Sequence, residues 1–144
     1  MALSRFLDNF KASDAADSTI VVITGDHNIR QILSYRNEEP WQKYSVPLYI
    51  YLPEQLRDRV SYDPSRYGSH YDIVPTLATL TVPDGTYFNT GHNLLDTAQT
   101  YPWHGVNREV VIAPPTADKA QIERIVGARK ALTKIYFQRL WTTK

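Results

Sequence analysis

An α/β fold, with a central sheet flanked by helices and a long helix toward the C-terminal end, is what this sequence predicts, and three observations carry it. Residues 19–24 are β-branched throughout and apolar on both parities at 20–23, the composition of a central strand buried on both faces. Helical spacing lies on either side of it, in Leu3, Phe6, Leu7 and Phe10 before and in residues 72–80 after. Finally, residues 116–141 carry an apolar stripe of helical period with basic residues between.

Taken in order, residues 2–10 predict an amphipathic helix and 11–18 a polar connection. The strand at 19–24 is broken by Gly25. Residues 28–45 are polar and mixed, with no sustained period beyond a short helix around 29–34, and read as a long surface excursion of the kind that often carries function. A second strand is expected at 46–52, ended by Pro53, with Pro47 at its start or on an edge because it cannot donate to a ladder. Residues 56–67 read as irregular. The helix at 72–80 has Asp72 as its expected N-cap and Pro75 in its first turn, where a missing N–H costs little.

Pro83, Asp84 and Gly85 mark a turn, 91–95 a short segment, and 108–112 a third strand. Thr116 is expected to cap a helix reaching about Trp141, with Ile122, Ile125, Val126, Leu132, Ile135, Tyr136 and Leu140 as its stripe. That helix reads as a packing element, not a site.

Composition excludes several function classes. With 16 Lys plus Arg against 15 Asp plus Glu, net charge gives no push toward nucleic acid or an anionic membrane, so any basic site must be local. The chain has no cysteine, which removes disulfides, thiolate ligands and cysteine nucleophiles together. Its longest apolar runs fall far short of the roughly 20 residues that cross a bilayer. The first ten residues do not make a secretory signal.

The chemistry concentrates where the first strand runs into Thr24, Gly25, Asp26 and His27, because open α/β sheets present ligand sites just past the carboxyl ends of their strands. A carboxylate beside an imidazole suits Zn, Mn or a similar divalent ion. The same two residues also suit a turn aspartate and a surface histidine, and spacing alone does not decide between the two.

Four ordered pieces, IVVITGDHN at 20–28, VPLYIYLP at 46–53, SHYDIVPTLATL at 69–80 and GHNLL at 91–95, resemble the alkaline phosphatase superfamily. The similarity is to the sulfatase-like branch that includes lipoteichoic acid synthases, phosphoglycerol transferases and phosphoethanolamine transferases. It implies a partial alkaline-phosphatase-like fold with a mostly parallel central sheet, and it makes Asp26 and His27 ligands of a catalytic divalent metal, Mn, Zn or Mg, with Ca also admissible. The residue after the pair is Gly in the family and Asn28 here, a departure that leaves the two ligands in place and the course of the following loop open. The implied reaction is double displacement on a phospho- or sulfo-ester, in which a Thr, or a modified Cys or Ser, attacks while the metal stabilises charge on the transferred group.

Only 25 residues precede Asp26, and no Ser or Thr among them stands at a strand end of its own at a distance from the pair. No catalytic nucleophile is therefore assigned. By resemblance, residues 1–144 are expected to be the C-terminal portion of a single catalytic domain. Its N-terminal portion, with a membrane anchor, becomes a partner, and the location becomes the outer side of a bacterial cell membrane. Nucleic acid is not an expected partner. Alone, such a chain is expected to expose apolar surface and associate.

Secondary candidates are His70, just before a helix N-terminus that could help seat a phosphate, and Arg30 in the excursion. Arg36 and Lys43, with Tyr35 and Trp41 as apolar walls, belong to the same stretch. His70 better suits packing or hydrogen bonding at the helix entrance, and His92 and His104 read as loop histidines. The residues thus support two functional readings: part of a metal-dependent enzyme acting on cell-envelope glycerophosphate or phosphoethanolamine esters, or a non-catalytic interaction module of the same fold.

Overall fold

The computed structural model describes residues 2–28, 44–82, 84–85, 91–98, 105–107, 110–113 and 116–142. They fall into two compact units, Met1–Ser61 and Tyr62–Lys144.

In the first unit, helix α1 (Ala2–Lys11) is followed by a 3-10 turn (Asp14–Asp17), strand β1 (Val21–Thr24), strand β2 (Leu48–Tyr51) and a single-turn helix α2 (Glu54–Arg57). The spacing of Phe6 and Phe10 stacks their rings at 6.2 Å, and Phe10 then meets the Tyr51 ring edge-on at 5.1 Å. Helix α1 is thereby fastened to β2, a necessary contact because a two-stranded ladder alone is marginal in water. The Ser13 hydroxyl donates to the Phe10 carbonyl at 2.7 Å and occupies one of the acceptors left open at the end of α1. Arg57 lies over the Tyr51 ring and donates through Nε to the Leu52 carbonyl at 3.0 Å. Gln55 donates to the Asp17 carbonyl and ties α2 to the 3-10 turn.

The expected mostly parallel central sheet of an alkaline-phosphatase-like fold is not what these residues form. Strands β1 and β2 pair antiparallel, with Val21 opposite Tyr51 and Thr24 opposite Leu48, in a two-stranded sheet. A run such as Ile20, Val21, Val22, Ile23 is apolar on both parities and reads the same in either direction, so it specifies a strand but not the direction of its partner. Nor is β1 buried on both faces: Val21, Val22 and Ile23 are half-buried and Thr24 is exposed. Leu48 and Tyr49 on β2 are exposed as well.

The second unit holds a 3-10 turn (His70–Asp72) running into helix α3 (Ile73–Thr81), then β3 (Gly105–Asn107), β4 (Val110–Ile112) and helix α4 (Lys119–Thr142). The expected strand at 108–112 is therefore half of an antiparallel pair, with Asn107 opposite Val110. The long C-terminal helix is present. Its start is set by Asp118 and not by Thr116, since the Asp118 carboxylate accepts the N–H groups of Ala120 and Gln121. Ile122, Ile125, Val126 and Leu132 are half-buried as the stripe requires, whereas Ile135 and Tyr136 are exposed. Among the side chains of α4 whose burial is described, packing is through its first part, where the Arg129 guanidinium lies 3.9 Å from the centre of the Tyr71 ring.

Candidate functional site

Asp26 and His27 emerge directly from β1. Gly25 makes the exit possible by close approach: a Cβ there would stand 3.1 Å from the Val46 side chain, just ahead of β2. The His27 N–H donates to Asp26 Oδ1 at 2.9 Å, which fixes that carboxylate and leaves Oδ2 facing the ring. His27 Nδ1 lies 3.2 Å from the Asn28 carbonyl oxygen, and Nε2 lies 3.4 Å from Asp26 Oδ2. With the proton on Nδ1 donated to that carbonyl, Nε2 presents its lone pair beside the carboxylate oxygen. Both side chains are open to solvent, 88% for Asp26 and 64% for His27. As a bare ion pair they would add little to stability.

The donor set fits a divalent ion. Two ligands of a tetrahedral ion, each about 2.1 Å from it, stand about 3.4 Å apart, which is the separation of Nε2 and Oδ2. Two donors are not a complete set, and among the described residues no group of three or more His, Cys, Asp or Glu is placed to share an ion.

His70 opens the 3-10 turn that leads into α3, and its side chain is exposed. It belongs to the second unit, Asp26 and His27 to the first. Arg30, Arg36, Lys43, Tyr35, Trp41 and His104 lie outside the described residues.

A second constellation escaped the sequence reading. Asp72, expected as an N-cap, is the third residue of a turn capped by Ser69. Its carboxylate, 3% exposed, accepts the Ser69 N–H and hydroxyl at Oδ2 and the His92 N–H at Oδ1. His92 Nδ1 lies 3.1 Å from that same Oδ1. Beneath it the fully buried Thr76 hydroxyl donates to the Asp72 carbonyl and accepts the Leu94 N–H. Burial would push the Asp72 carboxyl up, but the donors from His92 and Ser69 outweigh it and hold the group below its ordinary value. The Ser-x-x-Asp spacing ahead of an apolar helix was the available signal. This cluster holds the 91–95 segment to the start of α3.

Compared with known families, residues 1–82 match the family model described as Sulfatase, a span that contains the Asp26–His27 pair and ends just past α3. The chain belongs to the sulfatase family. No curated protein and no solved structure matches it. Of the four ordered pieces, the first three lie within the sulfatase match, while GHNLL at 91–95 and the whole of α4 lie beyond it. Among the described residues no helix is long and apolar enough to cross a membrane.

Proposed function

We propose that Asp26 and His27 are two ligands of a sulfatase-type divalent-metal centre, in an enzyme that transfers or hydrolyses a phospho- or sulfo-ester. The observation that carries this reading is the convergence of Nε2 and Oδ2 at 3.4 Å just past a strand end, inside the span matched by the sulfatase family. The bound ion, Mn, Zn or Mg with Ca as a further choice, would supply Lewis-acid stabilisation of charge on the transferred group. The chain's own part is orientation. The His27 N–H holds the Asp26 carboxylate, and the Asn28 carbonyl holds the imidazole with Nε2 forward.

The resemblance to lipoteichoic acid synthases and to phosphoglycerol and phosphoethanolamine transferases directs the substrate assignment to glycerophosphate or phosphoethanolamine esters of the bacterial cell envelope. It also directs the remaining ligands, the nucleophile and a membrane anchor to an N-terminal portion of the same domain, with the catalytic side outside the cytoplasm. Arg30, three residues past the pair in the chain, is assigned to the substrate anion. A second reading, an interaction module without chemistry, is favoured by Asn28 in the family's glycine position and by the wide exposure of both ligands.

Assayed with manganese and a generic aryl phosphodiester or aryl sulfate, the 144-residue chain is expected to show no turnover above the metal-only rate. Turnover lost in Asp26→Ala would keep the metal role but overturn the need for further residues. Turnover unchanged by Asp26→Ala would overturn both.

A further inference from the structure

Charge is segregated in this protein to a degree that its overall balance conceals. From residue 124 to the end there are six basic residues, Arg124, Arg129, Lys130, Lys134, Arg139 and Lys144, and no acidic one. Residues 1–123 therefore hold ten basic against fifteen acidic residues, a net charge of −5 beside +6. The basic stretch is largely helix α4. It lies beyond residues 1–82, so a role for it stands independently of the sulfatase reading.

The two parts of α4 differ. Its first part packs through Ile122, Ile125, Val126 and Leu132, and Arg129 is engaged with Tyr71. From Thr133 to Arg139 every residue is exposed. That stretch includes Ile135, Tyr136 and Phe137, each about half open to solvent, with the two aromatic rings edge-to-face at 5.9 Å. Lys130 and Lys134 stand one turn apart, and Phe137 continues the same helical face.

We propose that this C-terminal part of α4 docks on the surface of an anionic lipid bilayer. Exposed aromatic and aliphatic side chains among lysines and arginines, with no carboxylate to repel phosphate, suit the boundary between headgroups and acyl chains. There the rings enter the apolar layer while the long basic side chains reach back to the phosphates. A nucleic acid would satisfy the charges but would leave Ile135 without an apolar environment. The helix lies on the membrane and does not cross it, since no described helix is long and apolar enough to span.

The test is flotation of the full chain with vesicles of mixed phosphatidylglycerol and phosphatidylcholine, against vesicles of phosphatidylcholine alone and a single-stranded RNA oligonucleotide. Binding to the mixed vesicles that weakens with salt is expected, with little binding to phosphatidylcholine. Each basic residue near an anionic surface is worth about fivefold, so Lys130→Gln, Lys134→Gln and Arg139→Gln combined should weaken it about 100-fold. Tyr136→Ser with Phe137→Ser should remove the part of binding that survives high salt while leaving the helical circular-dichroism signal in place. Equal binding to both vesicle types, no binding to mixed vesicles at low salt, or indifference to the triple substitution would overturn the proposal. So would tighter binding to RNA, or a sedimentation dimer that needs Tyr136 and Phe137.

Discussion

Asp72→Ala is expected to destabilise the second unit by about 3 to 5 kcal/mol, the range for removing one side of a buried charged cluster and leaving its partners unpaired. The alanine strands the Ser69 N–H and hydroxyl and the His92 N–H, all of which donate to that carboxylate, in a site 3% exposed. The loss is read from the urea midpoint of the variant against the parent. The same cluster sets a pH dependence. The donors from His92 and Ser69, against the opposing effect of burial, keep the folded carboxyl below its ordinary 3.8. Its contribution is therefore complete above that value and is lost as the pH falls through 3.8 and then through the lower folded value. Asp72→Ala should flatten that acid limb. A variant with unchanged midpoint and unchanged acid limb would show that the network carries no stability.

Gly91→Ala is expected to cost about 3 kcal/mol, at the upper end for overpacking. A Cβ at this position would lie 2.0 Å from the Tyr71 carbonyl oxygen and 2.9 Å from Asp72 Oδ1. Neither neighbour is a flexible side-chain tip: one is backbone and the other is held by Ser69 and His92. The 91–95 segment must therefore lift away, taking the His92 and Leu94 N–H donors from Asp72 and Thr76. Amide hydrogen exchange at His92 and Leu94 would rise to the rate of an open segment. Retained protection at both would contradict the close approach.

Local signals were the legible ones in this sequence. The helical spacing of Leu3, Phe6, Leu7 and Phe10 predicts α1, and the β-branched run predicts β1. Strand direction is not local. Nothing in Val21, Val22 and Ile23 distinguishes an antiparallel neighbour from a parallel one, and the expected parallel sheet failed at that point. The stripe on α4 was legible, but how far along the helix a partner reaches depends on the rest of the unit, so Ile135 and Tyr136, expected inside, are found outside. Asp72 was legible only through its nearest neighbours, while its decisive partner, His92, lies 20 residues away.

Asp26 and His27 were legible as candidates because both their adjacency and their place after a strand are written in the chain. Their mutual geometry was not. It depends on the His27 N–H turning the carboxylate and on the Asn28 carbonyl turning the ring. The metal-site proposal rests on that geometry together with the family match.

The most direct test is nuclear magnetic resonance of the four histidine rings during addition of manganese, whose paramagnetism broadens protons of a coordinating imidazole. His27 is expected to broaden first and well ahead of His70, His92 and His104. In Asp26→Ala, the manganese needed for the same broadening should rise at least about tenfold, since loss of even an outer partner of a metal ligand costs that much. Broadening of all four rings together, or a His27 response indifferent to Asp26→Ala, would contradict the assignment of the pair as a metal site.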